Sequence, residues 1–228
     1  MRKTSFLTGF LALAGLAAMP ASAGVVYNND FGGVISTDNY AIDAWTINYG
    51  FQVTNSFVLD NNTTVTGVNF AVWVPNSSDT LTSVNWYIRE DSSPDNPLLG
   101  TVVASGTVNP VGSTLLSPNG VGYDVFGESF DIPSLALSGG TKYWLQFDGA
   151  VVPNADPIYW DQSDGPSTYY ESEYGYFDAS SWPCNGLCTG SESFQLLGDA
   201  GASTPEPASW LLLGGGMIAL AGFRRRRK

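Results

Sequence analysis

The chain has 228 residues, of which 21 are acidic, 9 are basic and none is histidine, and its formal net charge is −12 at pH 7. The absence of histidine excludes Ser-His-Asp and Cys-His nucleophile systems, histidine-ligated zinc and imidazole pH switches. Between residues 24 and 203, only Arg89 and Lys142 oppose 20 acidic residues, so this body carries a formal charge of about −18. Such a surface disfavours nucleic acid and anionic lipid as partners.

The N-terminus has the pattern of a secretory signal peptide. Two cations, Arg2 and Lys3, precede an apolar stretch from Phe6 to Ala18, and small residues follow up to Ala23. This order is typical of a segment that directs export and is then cleaved. We therefore predict that residues 1–23 are removed and that the body is exported.

The body, residues 24–202, shows the pattern of an all-β domain. From Trp45 to Val53, apolar side chains occupy every odd position, as in a strand with one buried face. Similar runs follow, separated by turn residues such as Ser138-Gly139-Gly140. About eight to ten such strands favour a two-sheet, jelly-roll-like β-sandwich, with an up-and-down barrel as the alternative. The further runs are Val68–Val74, Val84–Ile88, Val102–Ala104, Val121–Val125, Phe130–Ile132, Tyr143–Phe147, Ile158–Trp160 and Phe194–Leu196.

Adjacent aromatic residues recur along the body. Because successive side chains of a strand face opposite ways, we expect one ring of each pair in the core and the other facing outward. The pairs are Trp86-Tyr87, Tyr143-Trp144, Tyr159-Trp160 and Tyr169-Tyr170.

A carbohydrate site is predicted in the long, aromatic and acidic stretch Asp156–Asp178. An exposed ring can stack on the C–H face of a sugar while amides and carboxylates bind its hydroxyls. The alternative is that these rings fill the core, as aromatic side chains usually do. The candidate residues are Tyr159, Trp160, Asp161, Gln162, Tyr169 and Tyr170.

The other polar groups of the body give no pattern of a metal or catalytic site. Asp161 and Asp164 offer oxygen ligands for calcium, but calcium needs six to eight oxygens. We therefore favour the interpretation that these side chains form hydrogen bonds with nearby backbone groups. We expect no cofactor. The carboxylates match no catalytic motif, so we expect a protein without enzymatic activity, with a secreted glycoside hydrolase as the weaker alternative.

In an exported chain, Cys184 and Cys188 are predicted to form a local disulfide.

Residues 203–228 combine a Pro205-Glu206-Pro207 tripeptide, an apolar run and a basic end. The run from Trp210 to Phe223 would form about 21 Å of helix, which is short for a bilayer core. We predict a thin transmembrane helix over residues 209–223. Cations beside such a helix stay on the cytoplasmic side, which holds the body across the membrane. The basic end consists of Arg224, Arg225, Arg226, Arg227 and Lys228.

This combination of signal peptide, body and tail resembles the PEP-CTERM proteins of Gram-negative bacteria. In that family the tail is a sorting signal that an exosortase, a membrane-embedded cysteine protease-like enzyme, recognises and cuts. The same tail also carries the label of an ice-binding-protein C-terminal domain. The resemblance implies export through a membrane-held intermediate and delivery to the cell surface, often alongside exopolysaccharide.

We therefore predict an exported structural or adhesive surface protein, associated with extracellular polysaccharide or a biofilm matrix. The alternative is a discrete carbohydrate-binding module. The resemblance implies an exosortase as processing partner, and no nucleic-acid partner is expected.

Overall fold

The computed structural model describes residues 23–32, 44–75, 80–92, 97–118, 123–173, 176–178 and 191–200. Within these ranges the chain forms fourteen strands and one short 3₁₀ helix at Pro97–Leu99. The strands are β1 Gly24–Asn29, β2 Ala44–Thr46, β3 Phe51–Val58, β4 Thr63–Val74, β5 Ser83–Glu90, β6 Val102–Val108, β7 Val111–Pro118, β8 Asp124–Leu137, β9 Lys142–Val151, β10 Tyr159–Ser163, β11 Tyr169–Glu173, β12 Tyr176–Asp178, β13 Ser191–Glu192 and β14 Phe194–Ala200.

The strands form two antiparallel sheets. The six-stranded sheet has the order β12-β11-β3-β9-β5-β6. In the eight-stranded sheet, β4 is the central strand, with β8 and then β7 on one side, β14 and then β1 on the other, and β10 pairing with the end of β4. Strands β2 and β13 pair with β10. The predicted all-β, two-sheet architecture is confirmed, and the two sheets make a β-sandwich.

The core lies between the two inner faces and follows from period-two alternation. In β5, Val84, Trp86 and Ile88 are buried, while the residues between them lie on the opposite face. Because antiparallel partners share a face, this alternation also assigns the faces of the neighbouring strands.

An aromatic cluster joins the two sheets at the centre of the core. The ring of Phe147 on β9 lies 4.5 Å from Phe70 on β4 and 4.5 Å from Trp160 on β10, measured between centroids. Phe130 on β8 lies 6.0 Å from the same ring. Aromatic pairs at these separations add about 0.5–1.5 kcal/mol each beyond the burial of their area. Among the ring pairs that join the two sheets in the described structure, those of Phe147 with Phe70 and Trp160 have the shortest separations.

The first and last strands of the body are neighbours in the eight-stranded sheet. Gly24, at the start of β1, is paired with Gly198 near the end of β14. All the described strands lie between Gly24 and Ala200, so a chain of residues 24–203 contains both sheets and the whole core. Residues 1–22 and 201–228 lie outside the described residues. These ranges contain the predicted signal peptide, apart from residue 23, and the predicted tail helix.

Two strand predictions are wrong in their boundaries. The run from Trp45 to Val53 is divided by a turn between β2 and β3, where Tyr49 and Gly50 have φ of 56° and 93°. The tyrosine in this turn is exposed, although it continues the apolar alternation. The strand predicted at Phe130–Ile132 lies inside the long strand β8, and the one predicted at Val121–Val125 shares only residues 124–125 with β8, while residues 121–122 lie outside the described residues.

Among the described residues, the chain forms no helix with the length and apolar character needed to cross a bilayer.

Truncation of the central ring should have a large effect on stability. We expect Phe147→Ala in residues 24–203 to lower the free energy of unfolding by about 3–5 kcal/mol, because the cavity opens between the sheets. Val151→Ala, at the half-exposed end of the same strand, should cost about 0.5 kcal/mol or less. Urea unfolding followed by tryptophan fluorescence measures both values. Similar losses for the two variants would contradict this assignment of the core.

Candidate functional site

The outer face of the six-stranded sheet carries a row of side chains that crosses five successive strands. The backbone register places these five residues opposite one another from strand to strand, and they face away from the core because their sequence neighbours face into it. From β11 through β3, β9 and β5 to β6, the row consists of Tyr170, Thr54, Gln146, Tyr87 and Ser105.

A second row lies beside it and is rich in amides. The Asp148 carboxylate accepts hydrogen bonds from Gln146 Nε2 at 2.8 Å, Asn85 Nδ2 at 3.0 Å and Gln52 Nε2 at 3.3 Å. Asn85 Oδ1 in turn accepts a bond of 2.7 Å from the Thr107 hydroxyl. Three amides are thus held in fixed orientations by one carboxylate. This second row, Ser172, Gln52, Asp148, Asn85 and Thr107, is here called the amide row.

Both cations of the body lie on this same face. Arg89 Nε donates to Gln146 Oε1 at 2.8 Å, and its Nη1 donates to the Gly100 carbonyl at 2.9 Å. Burial lowers the pKa of the Arg89 guanidinium, while the nearby Tyr87 and Asp148 act in the opposite direction. The cation is therefore used within the protein, where it orients the Gln146 amide.

The second cation packs over an indole ring. Lys142 Nζ lies 4.4 Å from the ring centroid of Trp144 and 3.7 Å from Asp91 Oδ2. Trp144 Nε1 donates to Asp91 Oδ1 at 2.8 Å, and the Tyr170 ring lies 5.2 Å from the indole. The indole is fully buried under these groups. Lys142, Trp144, Asp91 and Tyr170 thus form one packed corner of the face.

The two rows and this corner, here called the polar face, have a buried floor and a partly exposed rim. Gln146 is only 1% exposed and Thr54 is buried, whereas Tyr87 and Tyr170 are partly exposed on either side of them. These two tyrosines are three strand spacings apart, roughly 14 Å at the usual distance between strands. The amides of Gln52 and Asn85 in the amide row are also partly exposed and are oriented by Asp148, so they can exchange hydrogen bonds with a ligand at little ordering cost.

Of the residues predicted from sequence as a carbohydrate site, only Tyr170 lies on the polar face. Tyr169 packs against Trp45, with a ring separation of 5.7 Å, where β11 approaches β2. Trp160 is 0% exposed in the core, and its Nε1 donates to the Ser193 carbonyl at 3.1 Å. The inclusion of Trp160 is therefore wrong, since a ring without an exposed face cannot stack on a sugar.

Gln162 belongs to a buried polar cluster that ties the sheets together at one end. Its Nε2 donates to Glu192 Oε1 at 3.1 Å, and the Glu192 backbone N–H donates to Asn55 Oδ1 on β3 at 3.0 Å. Asn29 Nδ2 on β1 donates to the Glu192 carbonyl at 2.5 Å. A Cβ added at Gly165 would lie 2.7 Å from Asn29 Oδ1, so a larger residue would displace this cluster. Gln162 is buried in this cluster and is not accessible to a ligand, so the cluster has a structural role.

Tyr159 and Asp161 lie on the outer face of the eight-stranded sheet. Tyr159 packs edge-on against Tyr123 at 5.7 Å, and burial together with a hydrogen bond to Tyr123 raises the pKa of Tyr159 to about 12. Asp161 Oδ1 accepts a hydrogen bond from Trp73 Nε1. The pKa of Asp161 is raised to about 7. Burial is the main cause; the hydrogen bond from Trp73 acts in the opposite direction, and the negative charge of Asp30 adds to the rise. Asp161 is therefore a buried carboxyl that favours its protonated form.

The two aspartates considered for calcium do not share an environment. Asp161 is buried beside Trp73, and Asp164 is exposed in the turn after β10. Within the described ranges, no group of three or more aspartate, glutamate, cysteine or histidine residues is placed to hold a metal ion. Cys184 and Cys188, with their predicted disulfide, lie outside the described residues.

The polar face was missed from sequence, although one signal for it was present. The pairs Trp86-Tyr87 and Tyr143-Trp144 each place one ring in the core and one on the polar face, as their alternation predicts. The amides of Gln52, Asn85 and Gln146 carry no such signal, because their meeting depends on the register of three strands.

The described body is thus an acidic β-sandwich with an ordered polar and aromatic face on one sheet. Residues 203–227 match the family model of the PEP-CTERM protein-sorting motif. The chain therefore carries a PEP-CTERM sorting motif, which confirms the resemblance seen in Pro205-Glu206-Pro207 and the segment that follows. This motif is a recognised exosortase substrate signal and implies export through a membrane-anchored intermediate to the cell surface. No curated protein matches the chain at a significant level.

The raised pKa of Asp161 predicts an unusual dependence of stability on pH. The folded state retains a proton that the unfolded chain, with an aspartate pKa of 3.8, releases. The contribution of this proton to the free energy of unfolding is fully present below about pH 4. It falls by up to about 1.4 kcal/mol per pH unit as the pH rises towards about 7, and it does not change further above about pH 7. Asp161→Asn keeps the acceptor for Trp73 and should abolish this part of the dependence, so the variant becomes more stable than the parent at pH 8.

Urea unfolding of residues 24–203 between pH 4 and pH 8 measures the difference between the two proteins. Asp60→Asn, at an exposed position, serves as the control and should show no comparable divergence. Parallel stability curves for the parent and Asp161→Asn would contradict the buried-carboxyl assignment.

Proposed function

We propose that the exported body binds a neutral, hydroxyl-rich polysaccharide through the polar face, and that it acts at the cell surface as a structural or adhesive protein. The observation that carries this proposal is the group of amides that Asp148 orients on the polar face, beside the partly exposed rings of Tyr87 and Tyr170. The proposal is one of binding and assigns no reaction to these residues.

The chemistry of the polar face matches the groups that a polysaccharide presents. Sugar hydroxyls both donate and accept hydrogen bonds, and so do the side-chain amides of Gln52 and Asn85. The apolar C–H face of a pyranose ring suits the partly exposed rings of Tyr87 and Tyr170. A roughly 19 Å row, four strand spacings across five strands, accommodates several sugar units of an extended chain.

The charge of the molecule favours a neutral polymer over an acidic one. The body carries about −18, and both of its cations already have partners, Arg89 at Gln146 and Lys142 at Asp91. A polyanion would meet long-range repulsion with little compensation from these two groups. A neutral polysaccharide is not repelled by the acidic body and does not need the two cations for binding.

Delivery to the surface supports the same function. The sorting motif at residues 203–227 brings the body to the outside of the cell, where polysaccharides are exposed. The carbohydrate-binding module proposed as the alternative differs in requiring one defined oligosaccharide, whereas the structural role requires only a repeated surface on a long polymer.

Binding is tested with residues 24–203 by affinity electrophoresis in gels that contain dextran, hydroxyethylcellulose, xylan or galactomannan. We expect retardation by at least one of these neutral polymers. Tyr87→Ala and Gln52→Ala should each weaken it by about tenfold or more, because each removes a rim contact. Gln195→Ala, which loses an amide bonded to Asn69 on the outer face of the other sheet, should bind like the parent.

Native near-ultraviolet circular dichroism of each variant shows that the fold is kept. Retardation by no polymer, or equal retardation of the parent and both polar-face variants, would overturn the proposal. A short oligosaccharide of the same sugar that abolishes retardation, at a concentration similar to that of the polymer's repeating units, would favour the binding module.

Processing of the tail is a separate proposal. We expect mature protein recovered from the cell surface to end upstream of residue 224, because the exosortase cuts the sorting motif and leaves the basic end in the membrane. Intact-mass spectrometry of surface material measures this end directly. Replacement of Pro205-Glu206-Pro207 by three alanines should retain the full tail, and an intact tail on the released parent protein would contradict processing.

A further inference from the structure

We propose that two copies of this chain associate edge to edge through β6 and β7, which together form one side wall of the sandwich. This inference concerns a different surface from the polar face and goes beyond polysaccharide binding. Strand β6 is the last strand of the six-stranded sheet, and β7 is the last strand beyond β8 in the eight-stranded sheet. Among the described strands, none pairs with the outer side of β6 or of β7.

The side chains of this wall are apolar and exposed. Val111 is 66% exposed and Leu115 is 54% exposed on β7, and Val102 is 43% exposed on β6. Natural sandwiches normally protect such edges with lysine, inward-pointing charges, bulges or very short strands, because an apolar edge is a template for another strand. The pairing of β7 with β8 has two register shifts and that of β6 with β5 has one, but neither strand carries a lysine or an acidic residue. The wall has prolines at positions 110 and 118, but these stand at or beyond the limits of β7 and not within it.

The wall is also free of charge in a strongly acidic protein. The segment from Asn96 to Tyr123 contains no aspartate, glutamate, lysine or arginine over 28 residues, and it spans both strands. We call Val102–Pro118 the neutral edge. Two bodies of about −18 repel each other over most approaches, and an approach along the neutral edge keeps their carboxylates apart.

These properties favour a second copy of the chain over a different partner. A cationic or anionic partner would find no counter-charge on the neutral edge, whereas a second copy brings an edge equally uncharged and apolar. Two identical strands can also pair antiparallel about a two-fold axis, which makes the contact closed and self-complementary. Because Ser105 and Thr107 of β6 belong to the polar face, such pairing would bring two polar faces side by side.

The charge on the rest of the body determines how the association should respond to salt. Screening reduces repulsion between the two acidic bodies and leaves the apolar contact unaffected. Association through the neutral edge should therefore strengthen as salt rises, which is the opposite of an association held by ion pairs.

The test is sedimentation velocity of residues 24–203 over a range of protein and salt concentrations. The variant Val102→Lys/Leu115→Lys places like charges in the proposed contact. The matched control, Val58→Lys/Val151→Lys, adds the same two charges at side chains 44% and 50% exposed on β3 and β9, which are interior strands of their sheet. We expect a dimer in the parent and the control, and a dissociation constant raised by about tenfold or more in the edge variant.

Hydrogen exchange of the unmutated protein provides a second readout in case the edge variant does not fold. Backbone amides of β6 and β7 should become more protected as protein concentration rises, while those of the opposite edge strand β1 should not change. A parent that is monomeric at every concentration and salt, a dimer that dissociates as salt rises, or equal weakening by both lysine pairs would overturn the proposal. Failure of polysaccharide binding would leave this inference unaffected, since the two surfaces are tested by different variants.

Discussion

The contact of Phe147 with Phe70 and Trp160 is the interaction on which the rest of the structure depends. It joins the two sheets, and it fixes which residues of β9 face inward. Because side chains alternate along a strand, a register slip of one residue would move the entire inner set to the outside. Gln146 and Asp148 reach the outer face only because Leu145 and Phe147 are held in the core. The polar face is in this sense a consequence of the aromatic core.

Much of the core could be predicted from local sequence. Alternating apolar residues in β4, β5 and β9 predicted both the strands and their buried faces, and the paired aromatics predicted rings on opposite sides of a strand. Alternation was misleading at Tyr49, where a turn with positive φ continues the apolar pattern without burying the ring. Apolar alternation indicates which side chains of a strand favour the buried face, but it does not indicate where the strand ends in a turn.

The candidate site could not be predicted because it is made of residues distant in sequence. Asp148 binds amides from β3 and β5, about 96 and 63 residues away along the chain. The aromatic and acidic stretch around Trp160 had the right composition for a sugar site, yet tertiary contacts use Trp160 in the core and Gln162 in a buried cluster. Composition alone did not distinguish side chains that face a ligand from those that fill the interior. The sorting motif, by contrast, is contiguous, and its sequence was sufficient.

The central claim is that the polar face binds a neutral polysaccharide, and side-chain NMR tests it most directly. In residues 24–203 labelled with ¹⁵N, the NH₂ groups of Gln52, Asn85 and Gln146 give signals that report their own hydrogen bonds. Titration with oligosaccharides of a bound polymer should shift these three signals in a saturable manner and leave the Asn69 and Gln195 amides on the opposite sheet unchanged. Shifts confined to the opposite sheet, or none on the polar face at saturation, would contradict the account.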